Sequence, residues 1–596
     1  MSAATFFSGI TKRLSFDRIF LLIIALAIIL RFAFLDLKLL HHDEAIHAWF
    51  AYELVTKGVY SYDPMYHGPL LYYLTAGMYW LLGQSDLIAR LLPALFGTLL
   101  VPLIYFIYRL GYLDKKQALV AALFVAISPD LIYFSRFLRH DIFQLFFTLL
   151  ILVALLYYLN SGKLRYALLA GIGVAGGMAL KEDMPLFLLI FLVFGLYLLV
   201  SKKIVLPRTW KRDAIIGILL AVAILALLYS SFGMHFEVLE TGWIKAWNHW
   251  TAMHDQCRIC GPWFFYILLF LLYEIPIFIF AIVGIIQFAG KGGRLKTSIT
   301  TFIGYFNRGK THPGPGSATH DLVVASIRQL EGRQARPALK DKRDDFFVFC
   351  LFWLVISLAA YAYIGEKVPW LIIHQLLPMI FVAVYMMTQK KMLIALIACM
   401  FLIVMTCHVA FVPTDVNEPI VQVQNSEDVR TLIKIIDASD IVMIASKDYW
   451  PLPWYDRGHG WDKIRFYGEI LNTDEIYKQL PDMVITHDLE SYPELTGYHK
   501  RTYKLSYWFS VIDNENRIPE YYFKRDGKMG SINLDIFTRI GTNADEVMMN
   551  GPESGGKTWE FTLSTGSGIP KGKTVPLVYP NPFSNVTTIF GNPGPQ

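Results

Sequence analysis

The chain has 596 residues, of which 55% are hydrophobic, 15% aromatic and only 17% charged. Soluble domains carry about a quarter charged residues, so the composition excludes a wholly soluble enzyme and predicts an α-helical polytopic membrane protein. The formal net charge of +6 does not point to nucleic acid, because the Lys and Arg residues sit in short clusters between apolar runs, as the positive-inside bias requires.

In chain order, the basic segment "KRLSFDR" leads into a first span at about residues 18–35 without a small-residue cleavage site, so this span is expected to be retained. "HHDEAIHAWFAYELVTKG" (41–58) and "SYDPMYHGPLLYYLTAGMYWLLG" follow. The apolar part of the second is about 16 residues, short for a span, and interfacial helices are expected over about 43–83. Further spans are expected at about 88–108, 117–135, 141–159, 166–181, 185–201, 214–233, 262–289, 346–364, 370–388 and 392–412, about eleven in all. The loops "RLGYLDKK", "SGKLRY", "SKKIVLPRTWKRD", 290–345 and "TQKK" are rich in Lys and Arg and are placed inside. The opening motif, "FLRHD", "LKED", 234–261 and "GEKVPW" then fall outside. The 262–289 stretch is too long for one straight span; Pro276 is expected to kink it, or a short re-entrant piece precedes a span.

Residues 1–412 are thus read as a transmembrane domain and 413–540 as a small extracytoplasmic α/β domain. In the latter, Val429, Leu432, Ile433 and Ile436 share a helical face, while Ile441–Ala445, "KIRFYG" and "DMVITH" read as strands. Residues 541–596 form a Gly/Ser/Pro-rich tail carrying the sequon Asn585-Val586-Thr587. No internal repeat is evident, which argues against a transporter built from inverted halves.

Ionisable groups at membrane edges are costly and need a reason. On this topology Asp43, Glu44, Asp141, Lys181, Glu182, Asp183, Glu366 and Lys367 all lie at outer ends of spans, as do His67, Arg136, Arg139, His140 and His374. Any one of them alone reads as a solvated boundary; acidic clusters on three outer loops together suggest a polar cavity for a substrate with an anionic head and an apolar tail. Glu44-x-x-His47 has the spacing of a di-iron ligand pair, but no second such motif occurs. A capped interfacial helix, with its acidic pair at the positive end of the helix dipole, explains the same residues. Cys257-x-x-Cys260 reads as an outer disulfide or free thiols, since a structural zinc site has four clear ligands. Glu274 reads either as lining a lipid access groove or as locally paired beside a kink, and "WPLPW" either as an acceptor surface or as packed aromatics.

The opening motif, "HGPLLYYLTAGMYWLLG" and "IARLLPALFGTLLVPLIYFIYRLG" together resemble the GT-C superfamily of membrane glycosyltransferases, closest to protein O-mannosyltransferases and lipid A aminoarabinose transferases. "SPDLIYFSRFLRHDIF", "GGMALKEDMP" and "GEKVPWLIIHQLLPMI" follow in family order, so the resemblance covers about residues 15–390. "EKVPWLIIHQLLP" and "DYWPLPWY" are similar to an archaeal subgroup associated with the flipping of lipid-linked sugars. The resemblance implies a polyprenyl (dolichyl) phosphate sugar donor, the bilayer, and a protein, glycan or lipid acceptor as partners. It implies Asp43 as general base, Asp141 as second acid with Glu44 beside it to position the acceptor or a cation, and Lys181 and Lys367, joined by Arg139, on the donor phosphate. His47, His67, Glu182, Asp183, Glu366 and His374 would support them. Glu182 and Asp183 depart from the family, where small residues are common, and make a metal bridge through Asp43 and Asp141 more plausible: Mg²⁺ or Mn²⁺ by oxygen chemistry, with the histidines leaving Zn²⁺ open. The alternative is a lipid-linked sugar flippase, or a protein associated with one, without transferase turnover.

Overall fold

A computed structural model describes residues 15–554 except 59, 256–260, 291–338, 366, 413–415, 417, 459–462, 469–471, 489–493 and 526. Cys257, Cys260, Glu366, most of the 290–345 loop and the sequon lie outside the described residues.

The first part of the chain is helical: α1 (Phe16–Phe32), α2 (His42–Lys57), α3 (Leu70–Leu82), α4 (Asp86–Arg109), α5 (Lys115–Ile127), α6 (Pro129–Ser135), α7 (His140–Ser161) and α8 (Leu164–Met178). There follow α9 (Met184–Val200), α10 (Trp210–Tyr229), α11 (Glu237–Asp255), α12 (Phe265–Tyr273), α13 (Ile275–Gly290), α14 (Leu339–Tyr363), α15 (Ile372–Ala383) and α16 (Gln389–Phe411). Among the described residues, five helices are long and apolar enough to cross a bilayer, and seven spans result if the bent pairs α5–α6 and α12–α13 each count as one. The other expected spans are helices of 12–17 residues. With 13 residues, α3 is too short to cross, in line with an interfacial reading. The chain is a multi-pass membrane protein.

Pro276 does not kink a continuous helix. The break falls at Glu274, the two halves meet at 110°, and Pro276 sits in the first turn of α13, where its missing N–H costs nothing.

The second part is a six-stranded mixed sheet of order β1-β5-β6-β4-β2-β3. The strands are β1 (Gln424–Asn425), β2 (Val442–Ala445), β3 (Ile464–Phe466), β4 (Met483–His487), β5 (Tyr498–Phe509) and β6 (Met529–Arg539). Only the β2–β3 and β2–β4 pairs are parallel. One face buries Val442, Ile444, Met483 and Ile485 with Val429, Leu432, Ile435 and Ile436 of the Val429–Asp437 helix. Ile435 therefore takes the place expected for Ile433, which is only partly covered. The domain also runs past residue 540: helix Asn543–Asn550 lays Ala544 and Met548 into the same core.

Two polar seams join the parts. Buried Glu418 accepts from Tyr273 Oη and Tyr521 Oη, each at 2.8 Å, and from Arg525 at 3.1 Å, with His408 at 3.0 Å. On the other side, Asn425 and Gln424 donate to the Leu40 and Leu39 carbonyls at 2.6 and 3.1 Å, and Tyr455 and Trp454 donate to Asp86 at 2.7 and 2.8 Å. The "WPLPW" run is spent on this packing, for Trp450 and Trp454 are buried; it is not an acceptor surface.

Candidate active site

The site is built on the first turns of two helices. His41 caps α2: its Nδ1 accepts from the Asp43 N–H at 3.1 Å, and Glu44 Oε2 accepts from the His41 N–H at 2.9 Å, a reciprocal capping box. Neighbouring residues on a helix point about 100° apart, so Asp43 and Glu44 face different surroundings. Glu44 turns inward, fully buried, and its two oxygens accept from Arg90 Nε (2.8 Å), Arg90 Nη2 (2.5 Å), Leu138 N–H (2.7 Å) and His41 N–H. Arg90 also donates to the Leu35, Lys38 and Leu39 carbonyls. Glu44 has no oxygen left for a substrate or a cation; the role expected for it is corrected to that of an internal anchor.

Asp43 turns the other way, and its side chain keeps 25% exposure. Arg139, the residue before α7, pairs with Asp43 Oδ2 through Nη1, while its Nε lies 3.3 Å from Asp141 Oδ2 in the first turn of α7. Its guanidinium is stacked 3.7 Å from the Trp370 ring centroid. Lys181, just past α8, donates to Asp141 Oδ1 at 2.5 Å, and His374 Nε2 stands 3.5 Å from the same oxygen. Asp43, Arg139, Asp141 and Lys181 thus form one alternating row of charges drawn from four places in the sequence. Burial pushes the Asp43 carboxyl up, but Arg139 and the histidines 41, 42 and 47 outweigh it and hold it well below the usual carboxylate range.

The acidic neighbours of Lys181 diverge. Glu182 accepts from His67 Nδ1 at 2.8 Å and Tyr62 Oη at 3.4 Å, and Asp183 accepts from Gln144 at 2.6 Å and Tyr361 Oη at 2.8 Å. Both fasten the turn that presents Lys181. The "HGP" motif has the same purpose: the Gly68 and Leu70 N–H groups donate to Leu180 and Ala179 carbonyls at 3.0 Å, and a Cβ on Gly68 would overlap the Ala179 carbonyl. His47 Nδ1 bonds Tyr72 Oη at 2.8 Å; His47 Nε2 and His140 Nδ1 have no hydrogen-bond partner among the described residues.

Lys367 is not at the row. Its ammonium donates to the Tyr361 and Ala362 carbonyls at 2.9 and 2.8 Å and to the Ile364 carbonyl, capping the end of α14, so its three protons are taken. Arg136 likewise donates to the Leu30, Arg31, Ala33 and Phe34 carbonyls at the end of α1. Arg90, Gln144, Tyr361 and Trp370 also belong to the site's surroundings and were not singled out within the sequence motifs. Arg90, a cation inside an apolar helix, carried the clearest signal.

A metal between Asp43 and Asp141 does not fit this arrangement, because the Arg139 guanidinium stands between the carboxylates. Among the described residues, no group of three His, Cys, Asp or Glu has metal-holding geometry.

The cap itself predicts a pH response. Burial pushes His41 and His47 down to about 3, against about 6.5 in an unfolded chain. Between those values the unfolded chain binds more protons, so stability is present near neutrality and falls as pH drops below about 6.5. His41→Asn keeps a capping side chain that does not titrate. The drop in thermal midpoint between pH 7 and pH 5 is expected to be smaller in this variant than in the parent protein.

Residues 66–230, which carry His67, Arg139, Asp141 and Lys181, match the family model described as dolichyl-phosphate-mannose-protein mannosyltransferase. The match covers that segment of the chain, which is thus similar to a family of membrane glycosyltransferases. Among solved structures, it is similar to the archaeal oligosaccharyltransferase AglB from Archaeoglobus fulgidus in complex with an inhibitory peptide and a dolichol-phosphate (12% identity, 80% of this chain and 70% of that one, TM-score 0.48). It is also similar to ArnT from Cupriavidus metallidurans bound to undecaprenyl phosphate (15% identity, 89% and 99%, TM-score 0.46). A third likeness is to the S. cerevisiae protein O-mannosyltransferase Pmt1-Pmt2 complex bound to the sugar donor (19% identity, 39% and 34%, TM-score 0.30). No curated protein sequence matches the chain.

Proposed function

We propose that this protein transfers a sugar from a polyprenyl phosphate donor, of the dolichyl type, to an acceptor hydroxyl or amide at the outer membrane face. Asp43 acts as general base, and Lys181 and Arg139 receive the phosphate. The observation that carries this reading is the position of Arg139, paired with Asp43 on one side and with Asp141 on the other. The charge bias of the loops supports the outer face.

The charge row suggests how binding and catalysis connect. A carboxylate held by a guanidinium is ionised, as a base must be, but weakly basic. A donor phosphate competes for the same guanidinium, and bidentate Arg–phosphate pairing is strong. As Arg139 turns toward phosphate, Asp43 loses its partner and becomes more basic while the acceptor proton has to be removed. Lys181, fixed by Asp141, then offsets the charge that grows on the phosphate as the glycosidic bond breaks. Asp141 holds Lys181 in place rather than touching the sugar.

The test is reconstitution of the full chain in liposomes with a labelled polyprenyl phosphate sugar and a membrane extract as acceptor source. Protein-dependent transfer of label is the expected result. Crossing of the labelled lipid without transfer to any acceptor would overturn the proposal in favour of a flippase.

A further inference from the structure

Two helix breaks inside the membrane part meet each other. α5 and α6 join at Ser128 with a bend of 54°, and α12 and α13 join at Glu274 with a bend of 110°. Ser128 Oγ donates to Glu274 Oε1 at 2.5 Å, and the Asp130 N–H donates to the same oxygen at 3.2 Å. All three residues are fully buried. Glu274 therefore lines no groove.

Among the described residues the remaining carboxyl oxygens, Oδ1 and Oδ2 of Asp130 and Oε2 of Glu274, have no hydrogen-bond donor, while the Asp130 N–H contact sets the two carboxyl groups beside each other. The charged and titratable groups of the surrounding helices are committed elsewhere. Arg31 of α1 donates to Ser135 and to the Val125 and Ala126 carbonyls. Arg90 of α4 holds Glu44, Lys181 and His374 stand at Asp141, and Tyr273 and His408 bond Glu418. No ion pair among the described residues involves Asp130 or Glu274.

Two ionised carboxylates in contact, dehydrated and without a cation, are mutually destabilising; one proton turns the contact into a strong hydrogen bond. We infer that Asp130 and Glu274 form a proton-binding site, in which one proton shared between the carboxyls fastens the two broken helices to each other. The proton comes from water and no bond to carbon changes. The remaining negative charge rests on Glu274, where the Ser128 hydroxyl and the Asp130 N–H already point. Ser128 Oγ accepts from the Leu131 N–H at 3.1 Å, which leaves its own proton for Glu274. Tyr273, next along the chain, donates to Glu418, so the fastened joint also fixes the residue that anchors the sheet domain.

The test uses the full chain in detergent, with Asp130→Asn and Glu274→Gln, whose amides supply an N–H where the shared proton would lie. The parent protein is expected to show the infrared carbonyl stretch of a protonated carboxyl group at pH 7, and both variants to lose it. Its thermal midpoint is expected to fall as pH rises from 7 to 10, and that of the variants to stay flat. A band that persists in both variants overturns the inference. So does stabilisation by sodium over choline at equal ionic strength that the variants lose, which would mark a metal cation instead of a proton. Should neither variant fold, Ser128→Ala decides. Loss of the hydroxyl destabilises the ionised form, so the band is expected to survive to higher pH; an unchanged titration refutes the site.

Discussion

Asp43→Asn is expected to lower sugar transfer by about 10²–10⁴-fold, the range a positioned general base supplies. The substitution keeps the shape of the side chain and removes only its charge. The helix start does not depend on that charge, because the cap is made by the His41 ring and the Glu44 carboxylate. The thermal midpoint should therefore move little, and donor binding should tighten or hold, since Arg139 is freed for phosphate. Initial rates with labelled donor, together with donor affinity in the same membranes, separate these effects. Unchanged transfer would remove Asp43 from the role of base.

Arg90→Met is expected to do the reverse: a loss of about 3–5 kcal/mol of stability, the cost of leaving one member of a buried ion pair alone, with the reacting groups untouched. Its guanidinium supplies two of the bonds to Glu44 and three to carbonyls before α2. Removing it strands a buried carboxylate and frees the segment that leads into Asp43. Because a dry apolar pair of similar volume can replace an ion pair, the double variant Arg90→Met, Glu44→Leu should recover part of the loss. Thermal midpoints of the single and double variants measure this directly. A double variant no better than the single would mean that the carbonyl contacts dominate.

These contrasting outcomes show where sequence reasoning reached and where it stopped. Composition and apolar run length suffice for a helical membrane part, and strand–helix alternation for the appended sheet, because both depend on local chemistry. The grouping of Asp43, Arg139, Asp141 and Lys181 was legible as well, through loop charge bias and motif order. The division of labour within "DE" was not. It depends on which way each side chain turns, and Arg90, 46 positions from Glu44, decides that. Lys367 shows the same limit: a lysine before an apolar helix reads as free, and only the fold-back of 361–364 reveals that its protons are taken. At 262–289 the break falls at Glu274, giving a short helix ahead of a longer one as in the re-entrant alternative, and a helix follows residue 540; neighbouring packing, not local propensity, determines where these elements end.

The seam between sheet and helices also has a temporal meaning. Asp43 is translated well before the groups that hold the segment ahead of it, since Asn425, Gln424 and Tyr455 come some 380–415 positions later. Until those residues have emerged and docked, the turn ahead of α2 lacks its outer supports. A nascent chain that has already inserted its helices thus carries the reacting carboxylate without the seat that aims it. Docking of the sheet domain then completes the seat of Asp43.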